Sequence, residues 1–428
     1  MEQNQIRAYA AVHADEALRL TEELCRIPAP SGRERARAEF CKVWLERFGA
    51  QGVRIDAADN MVLELNAAGS DALTVLTAHT DTVFPDTEPM EVRREGGRLL
   101  CPGVGDDTAN LAVLLLAARF LLEQGISPKH GLVIAANSGE EGLGNLRGCR
   151  RLMADYRGRV ARMISFDGYY NRLWNKAVGS ARYRVTVRTR GGHSFRDFGA
   201  PNAIAQLSEL IGALYAIEPH WGPEGTVTTY NVGTVRGGTS VNTVAQEASM
   251  LYEYRSDEAA GLRGMEEAFS AVVEDFRAKG VEIKVESMGV RPCGEGVDRL
   301  AQKALSDWSE ALLRRYTAGD IIVEPASTDC NIPLSQGIPA VSFGLCDGGG
   351  AHTRQEWIET ASLETGLCIA LETMLRFSEY RNRPHQTVRP VLYPVCGVRP
   401  ALPAEKSRSF AAAALRLPVP PLTETVTV

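Results

Sequence analysis

The 428-residue chain carries 47 Lys plus Arg against 53 Asp plus Glu, a net charge of −6. That mild acidity argues against nucleic acid or an anionic membrane as its main partner, and the length exceeds what one core comfortably fills, so two domains are expected. Nine cysteines, odd in number and without a C-x-x-C pair, indicate neither a disulfide framework nor a thiolate zinc site. Met1 to Gln5 lacks a basic, apolar leader, and no stretch reaches the ~18 apolar residues of a membrane span, so a cytoplasmic protein is expected.

In chain order, the pattern predicts an amphipathic helix over 15–27, a Pro-Ala-Pro-Ser-Gly break at 28–32, and a second helix over about 33–48. Short strands follow at 53–55 and 61–65. The apolar, β-branched run 73–78 reads as a buried strand that ends in Ala78-His79-Thr80-Asp81. Two residues apart at a strand end, His79 and Asp81 project to the same side, so Asp81 can hold the imidazole while its other nitrogen faces a metal. Gly96-Gly97 marks a hairpin, and Gly103-Val104-Gly105-Asp106-Asp107-Thr108-Ala109-Asn110 opens a helix over about 107–123. Paired acids at such a start are ordinarily capping residues. Strand 132–136 runs into Asn137-Ser138-Gly139-Glu140-Glu141-Gly142, and strand 163–166 ends at Asp167-Gly168. Acids or a histidine thus recur where strands leave a sheet, the position at which open α/β sheets bind ligands.

After Asp167 the texture changes to period-two alternation over 182–188, Gly191-Gly192-His193-Ser194, a helix over 202–217, strands at 227–235 and 248–254, a helix over 259–279 and a strand at 281–285. This β-α-β-β-α-β order is that of a ferredoxin-like unit with one open sheet face. From about 295 come a helix over 299–315, a turn at 317–320, a strand at 340–343, Gly348-Gly349-Gly350-Ala351-His352, and a helix over 362–380. The tail, 385–428, rich in Pro, Ala and Val without periodicity, reads as disordered or loosely docked.

Five motifs in this order, A-H-T-D-T-V, G-D-D-x-x-N, E-E-G, S-F-D-G and G-x-x-A-H-x-x-x-E, resemble the dizinc peptidases and deacylases, a family that includes peptidase T, glutamate carboxypeptidases, aminoacylases and succinyl-diaminopimelate desuccinylase. The likeness spans roughly 20–380. It implies an α/β fold: a layered metallopeptidase domain (1–178 plus 291–384) carrying an inserted α+β lid and dimerisation domain (179–290). It also implies two divalent ions, zinc first with manganese or cobalt as substitutes. Asp106 would bridge them, His79 and Asp167 would join it on one ion, and Glu141 and His352 on the other. Two histidines and three carboxylates suit such ions. Glu140 becomes the general base, with Asp81 behind His79 in the catalytic set, and the Asp106–Asp107 peptide is expected to be cis.

The resemblance further assigns His193 to the oxyanion, against the alternative of a plain turn histidine. Asn242 and Arg255, thirteen residues apart, would contact substrate. A guanidinium fork suits a carboxylate; the alternative for Arg255 is an ion pair with Glu253 or Asp257. Ser327-Thr328-Asp329-Cys330-Asn331 would shape the pocket. The spellings around His193 and Asp106 differ from the family's commonest, His-Ala-Gly and Asp-Met-Lys or Asp-Asp-Lys, which leaves the substrate class open. The implied function is metal-dependent hydrolysis of an amide bond in short peptides, in the manner of a di- or tripeptide aminopeptidase. The alternatives are a carboxypeptidase, an N-acyl-amino-acid deacylase, or a silent relative that only binds such ligands. A homodimer through the lid is expected, with no nucleic-acid or membrane partner.

Overall fold

The computed structural model describes residues 3–378. Helix α1 (Gln3–Cys25) begins twelve residues before the sequence pattern predicts, because its buried stripe starts with Ile6 and Ala10, too sparse and small to stand out. Helix α2 (Arg35–Arg47) follows the Pro-Ser-Gly break, then strands β1 (Arg54–Ile55), β2 (Met61–Leu65) and β3 (Leu73–His79). Strands β4 (Arg93–Glu95) and β5 (Arg98–Leu100) flank the Gly96-Gly97 hairpin. Helix α3 (Ala109–Glu123) starts two residues later than predicted, after an irregular turn at Val104–Thr108. Every residue from Ala109 to Leu121 is buried, as befits a helix apolar all round.

Strand β6 (Leu132–Asn137), helix α4 (Arg147–Asp155) and strands β7 (Val160–Phe166) and β8 (Arg172–Ala177) come next. Strands β9 (Gly179–Arg188) and β10 (Gly192–His193), helix α5 (Ala203–Tyr215), strands β11 (Thr228–Gly237), β12 (Thr243–Val244) and β13 (Glu247–Ser256), helix α6 (Ala259–Ala278) and strand β14 (Glu282–Arg291) form the next stretch. The chain continues with α7 (Arg299–Tyr316), β15 (Ile322–Ala326), α8 (Asn331–Ser335), β16 (Ala340–Phe343), β17 (Gly348–Gly349), β18 (Trp357–Glu359) and α9 (Ser362–Ser378). The expected tail, and residues 379–380 of the expected last helix, lie outside the described residues.

The main sheet has the order β1-β2-β6-β3-β7-β16-β8-β15, and its central strands β6, β3, β7 and β16 are mutually parallel. Alternate residues feed two cores: Leu132, Ile134 and Ala136 face α1, α3 and α9, while Val133 and Ala135 face α4 and α8. The result is a three-layer α/β domain with all four parallel C-terminal ends on one edge. In the main sheet and the helices that flank it, four elements were not predicted. Strand β8 is polar, and β15, largely exposed, holds Pro325, tolerated at the sheet edge it occupies. Helix α4 is short, with Arg147, Arg150, Arg151 and Asp155 among its nine residues, and α8 is five residues long.

The second sheet, β11-β13-β9-β14, is wholly antiparallel and has the predicted split β-α-β-β-α-β order. Helices α5 and α6 cover one face through Leu207, Leu210, Leu214, Met265, Phe269 and Val273. Asn331 donates to both Val178 O and Pro292 O at 2.8 Å, so one side chain fastens the strand entering this unit to the strand leaving it. No helix of the described residues is long and apolar enough to cross a membrane.

Candidate active site

The parallel edge gathers the predicted residues. His79 is the last residue of β3; Asn137 ends β6 and leads to Glu140 and Glu141; Asp167 follows β7; and His352 sits in the loop after β17. The turn before α3 brings in Asp106. Gly103 makes that turn possible, with φ +76° and no room for a Cβ, which would stand 2.5 Å from Thr82 Cγ2. The Asp106–Asp107 peptide is cis, as expected.

Asp106 presents one oxygen to each imidazole: Oδ1 lies 2.9 Å from His79 Nε2, and Oδ2 lies 3.0 Å from His352 Nε2. Asp167 Oδ1 is 3.9 Å from His79 Nε2, and Glu141 Oε1 is 3.2 Å from His352 Nε2. All five expected ligands therefore converge in two sets that share Asp106. His79 also lies within ligand-sharing distance of Glu140 and Glu141, and of Asp107 and Asp167.

Asp81 does more than hold the ring. His79 Nδ1 stands 3.0 Å from the Asp81 carbonyl oxygen and 3.5 Å from the carboxylate. The carboxylate itself accepts from Glu140 N at 3.0 Å, from Glu141 N at 2.9 Å and from Ser31 Oγ at 2.7 Å. It thus positions the two glutamates as well as the histidine. Asp107 accepts from His79 N at 2.7 Å and from Asn110 at 2.5 Å, so it braces a ligand rather than capping a helix. Asn110 also donates to Gly168 O and accepts from Leu345 N, stitching three ligand-bearing loops together.

Burial pushes the Asp167 carboxyl well above the usual range, with Asp106 adding to it, and lifts Glu141 to about 7. Burial alone would lower His79, but Asp107, Asp106, Asp81 and Asp167 together raise it well above the ordinary imidazole. The Asp106 and Glu141 carboxylates beside its ring raise His352 to about 11. Asp106, between the two imidazoles, is instead held well below the usual range despite its burial, so the cluster pairs raised carboxyls at its rim with raised imidazoles around one ionised centre. Glu141 Oε1, moreover, is buried and accepts no hydrogen bond. Both observations fit a pair of divalent cations among these oxygen and imidazole donors.

Glu140, though near His79, also has a cationic partner of its own. Its Oε1 lies 3.1 Å from Arg291 Nη1, and its carbonyl oxygen accepts from Arg291 Nη2. Sequence reasoning missed Arg291, a lone arginine at the end of β14 with no motif around it. It missed Arg182 for the same reason. Arg255 and Arg291 both register against Ser180 of β9, and Arg182 lies two residues along that strand, so three guanidinium groups share one sheet face. Arg255 pairs with Glu253 at 3.1 Å, as does Arg182 at 3.4 Å, so the ion-pair alternative for Arg255 is present as a contact. Ser180 Oγ and Arg291 Nε are buried without partners.

His193 and Asn242 are brought together, but not at the metal ligands. Strand β10 pairs with β12, Ser194 N donates to Asn242 O at 3.0 Å, and His193 Nδ1 accepts from Phe195 N. None of their contacts among the described residues reaches His79, Asp106, Glu141, Asp167 or His352. In the Ser327–Asn331 loop, Asp329 is buried and accepts from Asn137 at 2.5 Å. Burial and the neighbouring Glu140 lift its carboxyl to about 7.

Convergent imidazoles and carboxylates on a parallel α/β edge, with one glutamate held beside them, define a metal-dependent hydrolase. The profile of the peptidase family M20/M25/M40 matches residues 75–376, and the chain belongs to that family, whose members are metallopeptidases and amidohydrolases. The chain is 28% identical to a succinyl-diaminopimelate desuccinylase of Corynebacterium glutamicum, covering 79% of this chain and 90% of that protein. It is 33% identical to a [LysW]-lysine hydrolase of Deinococcus radiodurans, covering 85% and 97%. A tripeptidase from Staphylococcus aureus shares the fold, with a TM-score of 0.69 at 22% identity over 86% of this chain and 99% of that one.

Proposed function

We propose that the enzyme hydrolyses an amide bond in a short peptide or an N-acyl amino acid that carries a free carboxylate. The observation that carries this reading is the division of labour between adjacent glutamates: Glu141 faces His352 and Asp106, while Glu140 is turned to Arg291. His79, Asp106 and Asp167 would hold one ion, and Asp106, Glu141 and His352 the other, zinc being the first choice. When bound, such a pair supplies Lewis-acid activation of water and of the scissile carbonyl. Glu140 takes the proton of the attacking water and returns it to the leaving nitrogen. Asp81 and Asp107 keep His79 and both glutamates in place. His193, from the lid, donates to the carbonyl oxygen.

For the substrate's carboxylate the support is the row of Arg182, Arg255 and Arg291, more positive charge than Glu253 and Glu140 together offset. An aminopeptidase acting on di- and tripeptides satisfies it through the peptide's C-terminus. A carboxypeptidase or deacylase satisfies it through the leaving amino acid, and the desuccinylase and [LysW]-lysine hydrolase relatives lend weight to that branch. The test is a panel of di- and tripeptides, N-acetyl and N-succinyl amino acids, each beside its C-terminal amide. Turnover of at least one free acid, with its amide at least ~10-fold poorer, is expected from the loss of a charge-assisted pair. Equal rates for acids and amides would remove the carboxylate from the reading.

We place the protein in the cytoplasm on the support of its cysteines, all free among the described residues. Residues 179–290 are read as a lid that pairs with a second copy, leaving 1–178 plus 291–384 as the catalytic domain. The support is the exposed edge strand β11 and the bare Phe195, Phe198 and Val241 near His193 and Asn242. In this arrangement His193 and Asn242 serve the partner's site.

A further inference from the structure

Glu356 has no place in the site as described, yet it is fully buried four residues beyond His352. Its carboxylate accepts three backbone N–H groups from the Asp106 turn: Gly103 N at 2.6 Å, Gly105 N at 2.9 Å and Asp106 N at 2.8 Å. Its backbone, meanwhile, closes the His352 loop: Glu356 N donates to Thr353 O at 3.4 Å, and Glu356 O accepts from Cys101 N at 3.1 Å. One residue therefore joins two segments about 250 positions apart in the chain, one bearing Asp106 and the other His352. The seat is built tightly. A Cβ on Gly105 would stand 3.2 Å from Glu356 Oε1 and 2.7 Å from Tyr169 Cε1, so the turn must offer bare backbone to the carboxylate.

The two ligand sets are not braced equally. His79 is fixed through its own N–H to Asp107 and through Asp81, neither of which bonds to Glu356, and Asp107 is held in turn by Asn110. The His352 side chain is 58% exposed, and its ring has only Asp106 and Glu141 as described polar partners. Its distance to Asp106 depends on how the two loops are held together.

We propose that Glu356 is a positioning residue that sets Asp106 against His352 and thereby governs occupancy of the cation position framed by Asp106, Glu141 and His352. The inference rests on the two-cation reading above. It predicts an asymmetry: loss of the carboxylate weakens that position and spares the one at His79 and Asp167. Glu356→Gln is nearly isosteric but turns an amide NH2 toward backbone donors, leaving an N–H unpaired.

The experiment is titration of metal-stripped, full-length wild-type and Glu356→Gln protein with Zn²⁺ against a competing chelator dye, with circular dichroism to compare folds. Wild type should bind two ions. Glu356→Gln should bind the first with unchanged affinity and the second at least ~10-fold more weakly, the loss usual for a group that orients a ligand. Two ions at wild-type affinity, or equal weakening of both, overturns the proposal. If Glu356→Gln does not fold, Glu356→Asp decides in the same way: a selective loss at the second ion supports the proposal, and no change or an equal loss overturns it. Wild-type protein that binds fewer than two ions fells the two-cation reading itself, an outcome visible before any variant is compared.

Discussion

Glu140 and Glu141 share one backbone anchor, the Asp81 carboxylate, and point to different work. Removing the charge of Glu140 leaves the ligand set intact, so Glu140→Gln should keep its metal and lose turnover by at least ~100-fold, the usual contribution of a general base. Metal analysis beside steady-state kinetics checks both halves, and a Glu140→Gln enzyme of near wild-type rate would move the proton transfer to another group. The candidate ligands were legible where an apolar run stands next to them, before His79, Glu141 and Asp167 and after Asp106, while His352 was marked only by its glycine-rich motif. The residues that hold them were less so. Asn110 and Glu356 stood inside recognisable motifs, but their partners, Leu345 and the N–H groups of Gly103, Gly105 and Asp106, lie more than two hundred residues away. Arg291 had no motif, and its meaning depends on the fold bringing β14 to the Glu140 loop.

Helix α3 packs against β3 and β7, and α9 packs against α3 in the same core. In α9, Gly366 lies directly against the backbone of the loop that follows β16: a Cβ there would sit 1.6 Å from Leu345 O. Gly366→Ala must push helix and loop apart, and Leu345 is the residue whose N–H Asn110 holds. The expected cost is ~1–3 kcal/mol or more, the range for overpacking a filled core, read as a lower melting temperature; an unchanged one would show that the helix shifts freely. Periodicity found the long, buried elements, including the whole β-α-β-β-α-β unit. It failed where burial is partial: on β15 with its proline, on charged α4, and on the first turns of α1, whose inward face is largely alanine. An exposed edge strand such as β15 carries little alternation, because its environment is itself half solvent.

The groups assigned to the reaction stand in two places, the candidate metal ligands at the edge of the main sheet and His193 with Asn242 at β10 and β12. Mixing Glu140→Gln chains with His193→Ala chains, each inactive alone, tests whether a partner supplies the second group. Sharing across an interface should restore activity in the mixed dimer, and none despite demonstrated subunit exchange would return His193 to its own chain. The fastening of both lid strands by Asn331 gives such a lid a fixed root. All of this presupposes the cations. The decisive measurement is therefore the metal content of protein purified without chelator, paired with activity after stripping and reloading, for wild type, His79→Ala and His352→Ala. About two divalent ions per chain, activity lost on stripping and regained on reloading, and loss of metal and turnover in each variant are expected. Full activity in metal-free protein, or both ions and full turnover in the two histidine variants, would contradict the assignment.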